Sequence, residues 1–334
     1  MLKRALLFVV GTLLLGCGPK TWVKNQNWGN ALGTTYSIIY LADEELDYQQ
    51  EIDSVFQVLN QSMSTYIPTS DISKINEGDS TIVVDDMFKE VFDISTQVHE
   101  ASNGYFDPTV GVLANAWGFG PGKQITLDSL KVDSLLGYVG WEKVKFNKDH
   151  TITKAHPAIR FDFNAVAKGY AIDRLGALLD AKGIDNYLVE VGGEVLAKGT
   201  NLVSGKEWTV GIDDPQVETG RQLKRIVTLK DVAMASSGNY RKFRVDSETG
   251  EKYVHTIDPK TGYTKNSNVL ASSVVAKTCA VADAFATSFM AMDLDKSKAI
   301  LKDHDELEAY IIYLDQDGKT QEFFTPGFEA LVKQ

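Results

Sequence analysis

Phe161-Asp162-Phe163-Asn164-Ala165-Val166-Ala167-Lys168-Gly169-Tyr170-Ala171-Ile172-Asp173 is the stretch from which the rest of the chain can be ordered. Ile159, Phe161 and Phe163 alternate with Arg160 and Asp162 as in a strand, and from Ala165 the apolar positions Tyr170, Leu175 and Leu178 recur at helical spacing. The expectation is a strand that ends where a helix begins. The first turn of such a helix presents unpaired N–H groups and a partial positive charge, a setting that suits phosphate. Asp162 precedes this junction and Lys168 follows it, with Gly169 beside the lysine to let a ligand approach the backbone. The same residues would equally make an ordinary turn with a solvated lysine.

Upstream, Gly33 to Tyr40 reads as a first strand rich in β-branched and aromatic residues. Leu46, Ile52, Val55, Phe56, Leu59 and Met63 place a helix between Asp43 and Met63, and Phe88, Val91, Phe92 and Val98 place a second from Asp86 to Ser102, closed by Asn103-Gly104. A short helix over Leu127 to Leu136 leads to strands near Val144 and Ile152. Gly120-Pro121-Gly122-Lys123-Gln124 imitates a nucleotide loop but fails as one. No glycine lies five residues before Gly122, and Gln124 replaces the magnesium-binding hydroxyl, so a turn with an exposed lysine is expected.

Downstream, the strand Tyr187 to Val191 runs into Gly192-Gly193-Glu194, which lacks the third glycine and the helix of a dinucleotide fingerprint. Strands near Trp208 to Ile212, Arg225 to Leu229, Val232 to Ala235 and Tyr240 to Val245 follow without an intervening helix, which argues for antiparallel pairing. A helix over Lys296 to Lys302 and strands over Leu307 to Leu314 and Lys319 to Phe324 close the chain, the last two joined at Gln316-Asp317-Gly318. No Pro/Gly/Ser linker or repeat divides residues 31–334. They are expected to form one α+β catalytic domain of mainly antiparallel strands packed with helices, either a single body or two interleaved lobes.

The apolar fraction of 43% in 334 residues supports a substantial core. Residues 1–16 read as a signal peptide: Lys3-Arg4, then an apolar run from Ala5 to Leu15 too short to span a bilayer, then Leu14-Leu15-Gly16-Cys17, which resembles a lipoprotein lipobox. Cys17 is the expected lipidation site, and residues 17–30 the expected tether. Removing residues 1–16 takes away two positive charges and no negative one, so the formal charge of -11 becomes -13. No basic run interrupts this acidic background, and nucleic acid is not an expected partner. Only Cys17 and Cys279 are present, so acylation of the first leaves the second without an intrachain partner.

One further constellation carries chemistry. Cys279 to Met290 is rich in alanine, with Phe285, Phe289 and Met290, and reads as a buried helix in which a lone Asp283 requires a partner. Thr287, four residues on, shares its face. Two oxygen donors of this kind suit magnesium, which keeps water and phosphate in its other positions, although Asp283 could instead hydrogen-bond a neighbouring turn. Isolated histidines are more often structural, and no His/Cys spacing suggests zinc.

These segments resemble, in order, those of the ApbE-type FAD:protein FMN transferases. Leu32-Gly33-Thr34-Thr35-Tyr36 is similar to the family's Met-Gly-Thr-x-Tyr, with Leu32 in place of the methionine that contacts flavin in relatives. Ser64-Thr65-Tyr66 is similar to its Ser-x-Tyr, and Phe106-Asp107-Pro108-Thr109-Val110 to its Phe-Asp-Pro-Thr-Val. Asp162 and Lys168-Gly169 resemble its Asp…Lys-Gly segment, Gly192-Gly193 its Gly-Gly beside the cofactor, Ser237-Gly238-Asn239-Tyr240 its Ser-Gly-x-Tyr, and His255-Thr256-Ile257-Asp258-Pro259-Lys260-Thr261-Gly262 its His-x-x-Asp-Pro-x-Thr-Gly.

The resemblance implies that FAD is held by Leu32, Tyr66, Tyr105, Phe106, Asp107, Asp162, Lys168, Gly192, Gly193 and Ile257. It implies Mg2+ on Asp283, Thr287 and the backbone carbonyl of Ala165. The implied reaction moves FMN from FAD to a Ser or Thr hydroxyl of a flavoprotein acceptor, releasing AMP, with Asp283 or His255 as the base. An FAD pyrophosphatase would use the same residues with water as nucleophile, and a flavin-binding lipoprotein would use them without chemistry. The chain is expected as a membrane-anchored lipoprotein on the extracytoplasmic side, with the periplasm as the expected compartment.

Overall fold

The computed structural model describes residues 21–217, 222–239, 243–245, 252–265 and 267–333. In chain order the elements are β1 (Val23–Ala31), β2 (Thr34–Ala42), α1 (Gln49–Met63), α2 (Asp71–Asn76), α3 (Asp86–Ala101), α4 (Gly111–Trp117), α5 (Ser129–Leu136), β3 (Val144–Phe146), β4 (Ile152–Lys154), α6 (Ala167–Ala181), β5 (Tyr187–Val191), β6 (Glu194–Lys198), β7 (Trp208–Asp213), β8 (Leu223–Leu229), β9 (Val232–Gly238), β10 (Phe243–Val245), β11 (Lys252–Val254), β12 (Val269–Ala276), α7 (Cys279–Ala291), α8 (Leu294–Asp303), β13 (Glu308–Leu314), β14 (Thr320–Phe324) and α9 (Pro326–Leu331).

Eight of the strands make one sheet in the order β1-β2-β5-β6-β9-β12-β13-β14, and every neighbouring pair is antiparallel. Successive side chains point to opposite faces, so each face builds its own core. On one face Ile38, Val189, Ala235 and Val274 join Phe56 of α1, Phe88 of α3, Leu175 of α6 and Phe289 of α7. On the other, Val195, Met234, Val275 and Tyr310 pack with Trp208 and Val227 of the β7–β8 hairpin and Phe328 of α9. A third cluster sets Leu113 and Trp117 of α4 against Val132 of α5 and Ile257. This is the α+β architecture with mainly antiparallel strands that the sequence implied.

Four local expectations are corrected. Residues 23–30 are not tether but most of β1, an edge strand paired along its whole length with β2. Its inward positions are asparagines, which hid it from a hydrophobic reading. Asn25 donates to Glu44 O and accepts from Leu46 N–H, while Asn27 donates to Asp47 and accepts from the Tyr40 hydroxyl. Cys17 lies outside the described residues, as do Tyr240 and Arg241 at the start of an expected strand. Secondly, residues 161–163 form no strand: beyond one parallel bridge between Arg160 and Val110, the backbone of Phe161 bonds the Asn76 side chain and Asp162 N–H donates to Pro108 O, and the helix begins at Ala167 rather than Ala165. The alternation came from burial of Ile159, Phe161 and Phe163, the two phenylalanines against Phe88 of α3, rather than from a ladder. Thirdly, α1 begins at Gln49, six residues after Asp43, because residues 43–48 wrap back to satisfy the asparagines of β1. Fourthly, β12 was not foreseen. It is covered on both faces, so Val-Leu-Ala-Ser-Ser-Val-Val-Ala shows no polar alternation to read.

Candidate functional site

The site grows from the crossing of α6 and α7. A Cβ on Gly169 would sit 2.3 Å from the carbonyl oxygen of Cys279, so only glycine lets the two backbones meet here. The start of α7 approaches the Gly169 backbone closely. One turn along α6, Asp173 receives the N–H groups of Cys279 (2.7 Å) and Ala280 (2.8 Å), supplying from another helix the N-terminal cap that Thr278 does not provide. Burial raises the Asp173 carboxyl to about 6, against the pull of those two N–H groups.

This crossing fixes Asp283 under the first turn of α6. Gly169 N–H donates to Asp283 Oδ2 (3.1 Å), and no other hydrogen bond reaches this carboxylate among the described residues. Burial pushes its pKa up, opposed by Lys168 and the Gly169 N–H. Lys168, from the same turn of α6, places Nζ 2.6 Å from Glu194 Oε1 at the start of β6. Burial works against the Lys168 ammonium, yet Glu194 and Asp283 together hold its pKa above the ordinary lysine value. Glu194 is only 3% exposed, its Oε2 has no partner, and burial with the nearby Asp283 charge pushes its pKa up, opposed by Lys168.

Thr287 is half-buried one turn along α7 from Asp283, and its hydroxyl has no hydrogen-bond partner among the described residues. No group of three or more His, Cys, Asp or Glu suited to a metal occurs among the described residues. A cation at Asp283 would therefore be completed by the Thr287 hydroxyl, backbone carbonyls, water or substrate. An underused buried carboxylate oxygen with a hydroxyl on the same face is a hard-donor set that fits magnesium. Ala165 lies in the turn just before α6.

The other expected residues surround this crossing. Asp162 forms an Asx turn with Asn164 N–H (2.8 Å), and its own N–H donates to Pro108 O (2.7 Å), which joins the Asp107-Pro108 loop to the start of α6. Tyr66 is 60% exposed beside Asp162 and Asn164. Partial burial and the Asp162 charge raise its phenol pKa.

The Leu32-Gly33 and Gly192-Gly193 turns lie side by side, linked by Gly192 N–H to Thr35 O (3.0 Å). A groove of about 380 Å³ runs along residues 30–35. Gly192 and Gly193 have φ of 62° and 101°, the geometry of the two-residue turn joining β5 to β6. Asp107 is more structural than expected. Oδ1 accepts from the Thr109 N–H and hydroxyl, and Oδ2 from Trp141 N–H. Phe106 and Ile257 are buried in apolar clusters, leaving their backbones as the means of touching a ligand. Tyr105 lies between the ammonium groups of Lys260 (4.6 Å) and Lys296 (5.0 Å). His255 is half-buried and leads into the turn at Asp258, whose carbonyl accepts from Gly262 N–H (2.8 Å).

The sequence profile of the ApbE family matches residues 32–311, a span that contains every one of these groups. The chain belongs to the ApbE family. A FAD:protein FMN transferase of Haemophilus influenzae is 32% identical over 335 residues, covering 96% of this chain and 94% of that protein. Among solved structures, the flavin transferase ApbE of Vibrio cholerae aligns with a TM-score of 0.83 at 30% identity, covering 94% of this chain and 100% of that one. The apo flavinyl transferase ApbE of Pseudomonas stutzeri aligns with a TM-score of 0.81 at 28% identity, covering 93% and 97%.

Two residues of this ApbE-family site escaped the sequence reading. Asp173 closes the stretch first quoted, and its spacing of four from Gly169 put both on one helix face, a usable signal. Glu194 stood in plain view after the paired glycines. Nothing local, however, says that the residue following a tight turn will be buried against a lysine 26 positions earlier.

Proposed function

We propose that this chain moves FMN from FAD onto a Ser or Thr hydroxyl of a flavoprotein acceptor, releasing AMP, with Mg2+ held by Asp283, Thr287 and the carbonyl of Ala165. Relatives matching nearly the whole chain are named FAD:protein FMN transferases. The observation that carries the reading is the underused Asp283 carboxylate near a half-buried lysine at the start of a helix. In this reaction the acceptor oxygen bonds to the phosphorus of the FMN half as the bond from that phosphorus to the bridging oxygen breaks. AMP departs with the bridging oxygen, and the acceptor's proton passes to a base. Bound magnesium supplies charge neutralisation at the pyrophosphate.

The chain's own groups do the positioning. Lys168, in the first turn of α6, faces the phosphates. Tyr66 offers an exposed ring beside Asp162, and Leu32 an apolar surface at the β1–β2 turn. Asp283 and His255 are the candidate bases. A metal on Asp283 lowers its basicity, which favours His255.

The test measures AMP release against magnesium concentration for wild type, Asp283→Ala and Thr287→Val, together with acceptor mass and circular dichroism. Asp283→Ala should stay folded and lose at least roughly 10²-fold, and Thr287→Val should lose less. Folded Asp283→Ala protein with wild-type turnover and magnesium dependence would refute the metal assignment. AMP release without a gain in acceptor mass would turn the reading to a pyrophosphatase.

The lipobox supports a second element of the proposal: Cys17 carries lipid and anchors the enzyme on the extracytoplasmic side. No helix among the described residues is long and apolar enough to cross a membrane. Mass spectrometry of the native N-terminus should find acylated Cys17 as the first residue, and cleavage elsewhere or an unmodified cysteine would count against it.

A further inference from the structure

Glu194 has no part in the chemistry described so far, yet it is a buried carboxylate with a fixed placement. The Gly192-Gly193 turn fixes the register, with Val191 opposite Glu194. Side chains two apart on β6 share a face, and Leu196 comes within 2.5 Å of where a Cβ on Gly176 of α6 would lie. Glu194 is thereby directed at α6 as well, where Oε1 meets Lys168 Nζ at 2.6 Å. Its other oxygen is buried without a partner. A carboxylate left half-satisfied in the interior is costly, and replacing a buried pair by apolar residues is often neutral or better for stability.

We infer that Glu194 is a positioning residue: it holds the Lys168 ammonium charged and aimed, so that its remaining N–H groups receive the pyrophosphate of FAD. An ammonium has three donors, and Glu194 accepts one, leaving two for phosphate oxygens. Without the carboxylate, the half-buried Lys168 would lose its aim, and desolvation would favour its neutral form and weaken its hold on the anion. The glycines at 192 and 193 then serve the cofactor indirectly, by delivering Glu194. This inference rests on the proposed function only through the placing of Lys168 on phosphate.

The experiment is a double-mutant cycle on the purified full-length protein with Glu194→Gln, Lys168→Met and the pair. It measures KM and kcat for FAD by AMP release at saturating magnesium, and affinities for FAD and riboflavin by fluorescence titration. Glu194→Gln keeps shape and an acceptor oxygen but removes the charge. It should raise the FAD KM at least tenfold and change kcat less than threefold. Riboflavin affinity should be unaltered, and the double variant no worse than Lys168→Met. A wild-type FAD KM in Glu194→Gln overturns the inference. So does a loss of riboflavin affinity equal to that of FAD, or a full additional loss when Glu194→Gln is added to Lys168→Met, because a purely structural carboxylate would behave in that way.

If Glu194→Gln does not fold, the cycle is run with Glu194→Asp. The shorter carboxylate keeps the charge but draws it away from Lys168, and it should raise the FAD KM by a smaller factor, again only where Lys168 is present. If the wild type releases no AMP, the functional reading falls, while the FAD and riboflavin titrations still decide the coupling of Glu194 to Lys168.

Discussion

Gly169 and Asp173 are where single atoms control the site. Gly169→Ala puts a methyl group 2.3 Å from a backbone oxygen that no rotamer can move, so the helices must part. Overpacking of this kind costs about 1–3 kcal/mol. Chemical denaturation should show that loss, with AMP release falling further than stability because Asp283 loses the Gly169 N–H. Asp173 sets a pH dependence. Its folded pKa of about 6 lies above the ordinary 3.8, so the folded chain holds the proton more tightly. Its contribution is therefore present below about pH 3.8 and is lost as pH rises through 6. The stability of wild type relative to Asp173→Asn should fall by up to about 3 kcal/mol between pH 4 and 7, on top of a constant offset for the bond that asparagine cannot accept. Metal-free urea titrations across that range test it, and an offset independent of pH would contradict it. Asp283 was legible in the sequence because a lone carboxylate among alanines and phenylalanines requires explanation wherever it folds. Glu194 was not, because its meaning depends on a lysine that only the tertiary structure brings within 2.6 Å.

Among the elements, those with a clean period were readable. The α3 helix was placed to within a residue by that period, and so were β14 and β13, the latter covered on both faces but marked by its aromatic and β-branched run Tyr310-Ile311-Ile312-Tyr313. β1 and β12 failed for opposite reasons: the first buries asparagines satisfied by the 43–48 loop, and the second buries both faces. The β5–β6 turn, expected from the resemblance to let a cofactor approach, also sets the register of the two strands. Gly192→Ala places an L-residue at φ 62° with its Cβ 2.8 Å from Thr34 Cγ2. A left-handed conformation costs such a residue roughly 1–2 kcal/mol before the clash is counted. Thermal unfolding should show at least that loss, and the FAD KM should rise along with it as Glu194 shifts. An unchanged KM in a destabilised variant would separate the turn from the cofactor.

At the scale of the whole molecule, β1 ties the N-terminal segment into the sheet and cannot be trimmed as linker. A chain starting at Leu32 would strip β2 of one of its two ladders and take Asn27 from the Tyr40 hydroxyl. It should express poorly or unfold at markedly lower denaturant than a chain starting at residue 21, and equal midpoints for the two would show that β1 is dispensable. The early start of this strand also limits where the enzyme can work. If Cys17 is moored in a bilayer, only residues 18–22 separate it from β1, a leash of at most about 18 Å at full stretch. Nine residues of strand then carry the chain about 30 Å to the Leu32 end, where the cofactor turns lie. The catalytic end is a short crane arm whose swing ends within about 50 Å of the lipid surface. On the proposed function and anchor, an acceptor would have to offer its hydroxyl inside that shell, which would favour membrane-embedded flavoproteins with low-lying domains over proteins diffusing freely beyond it.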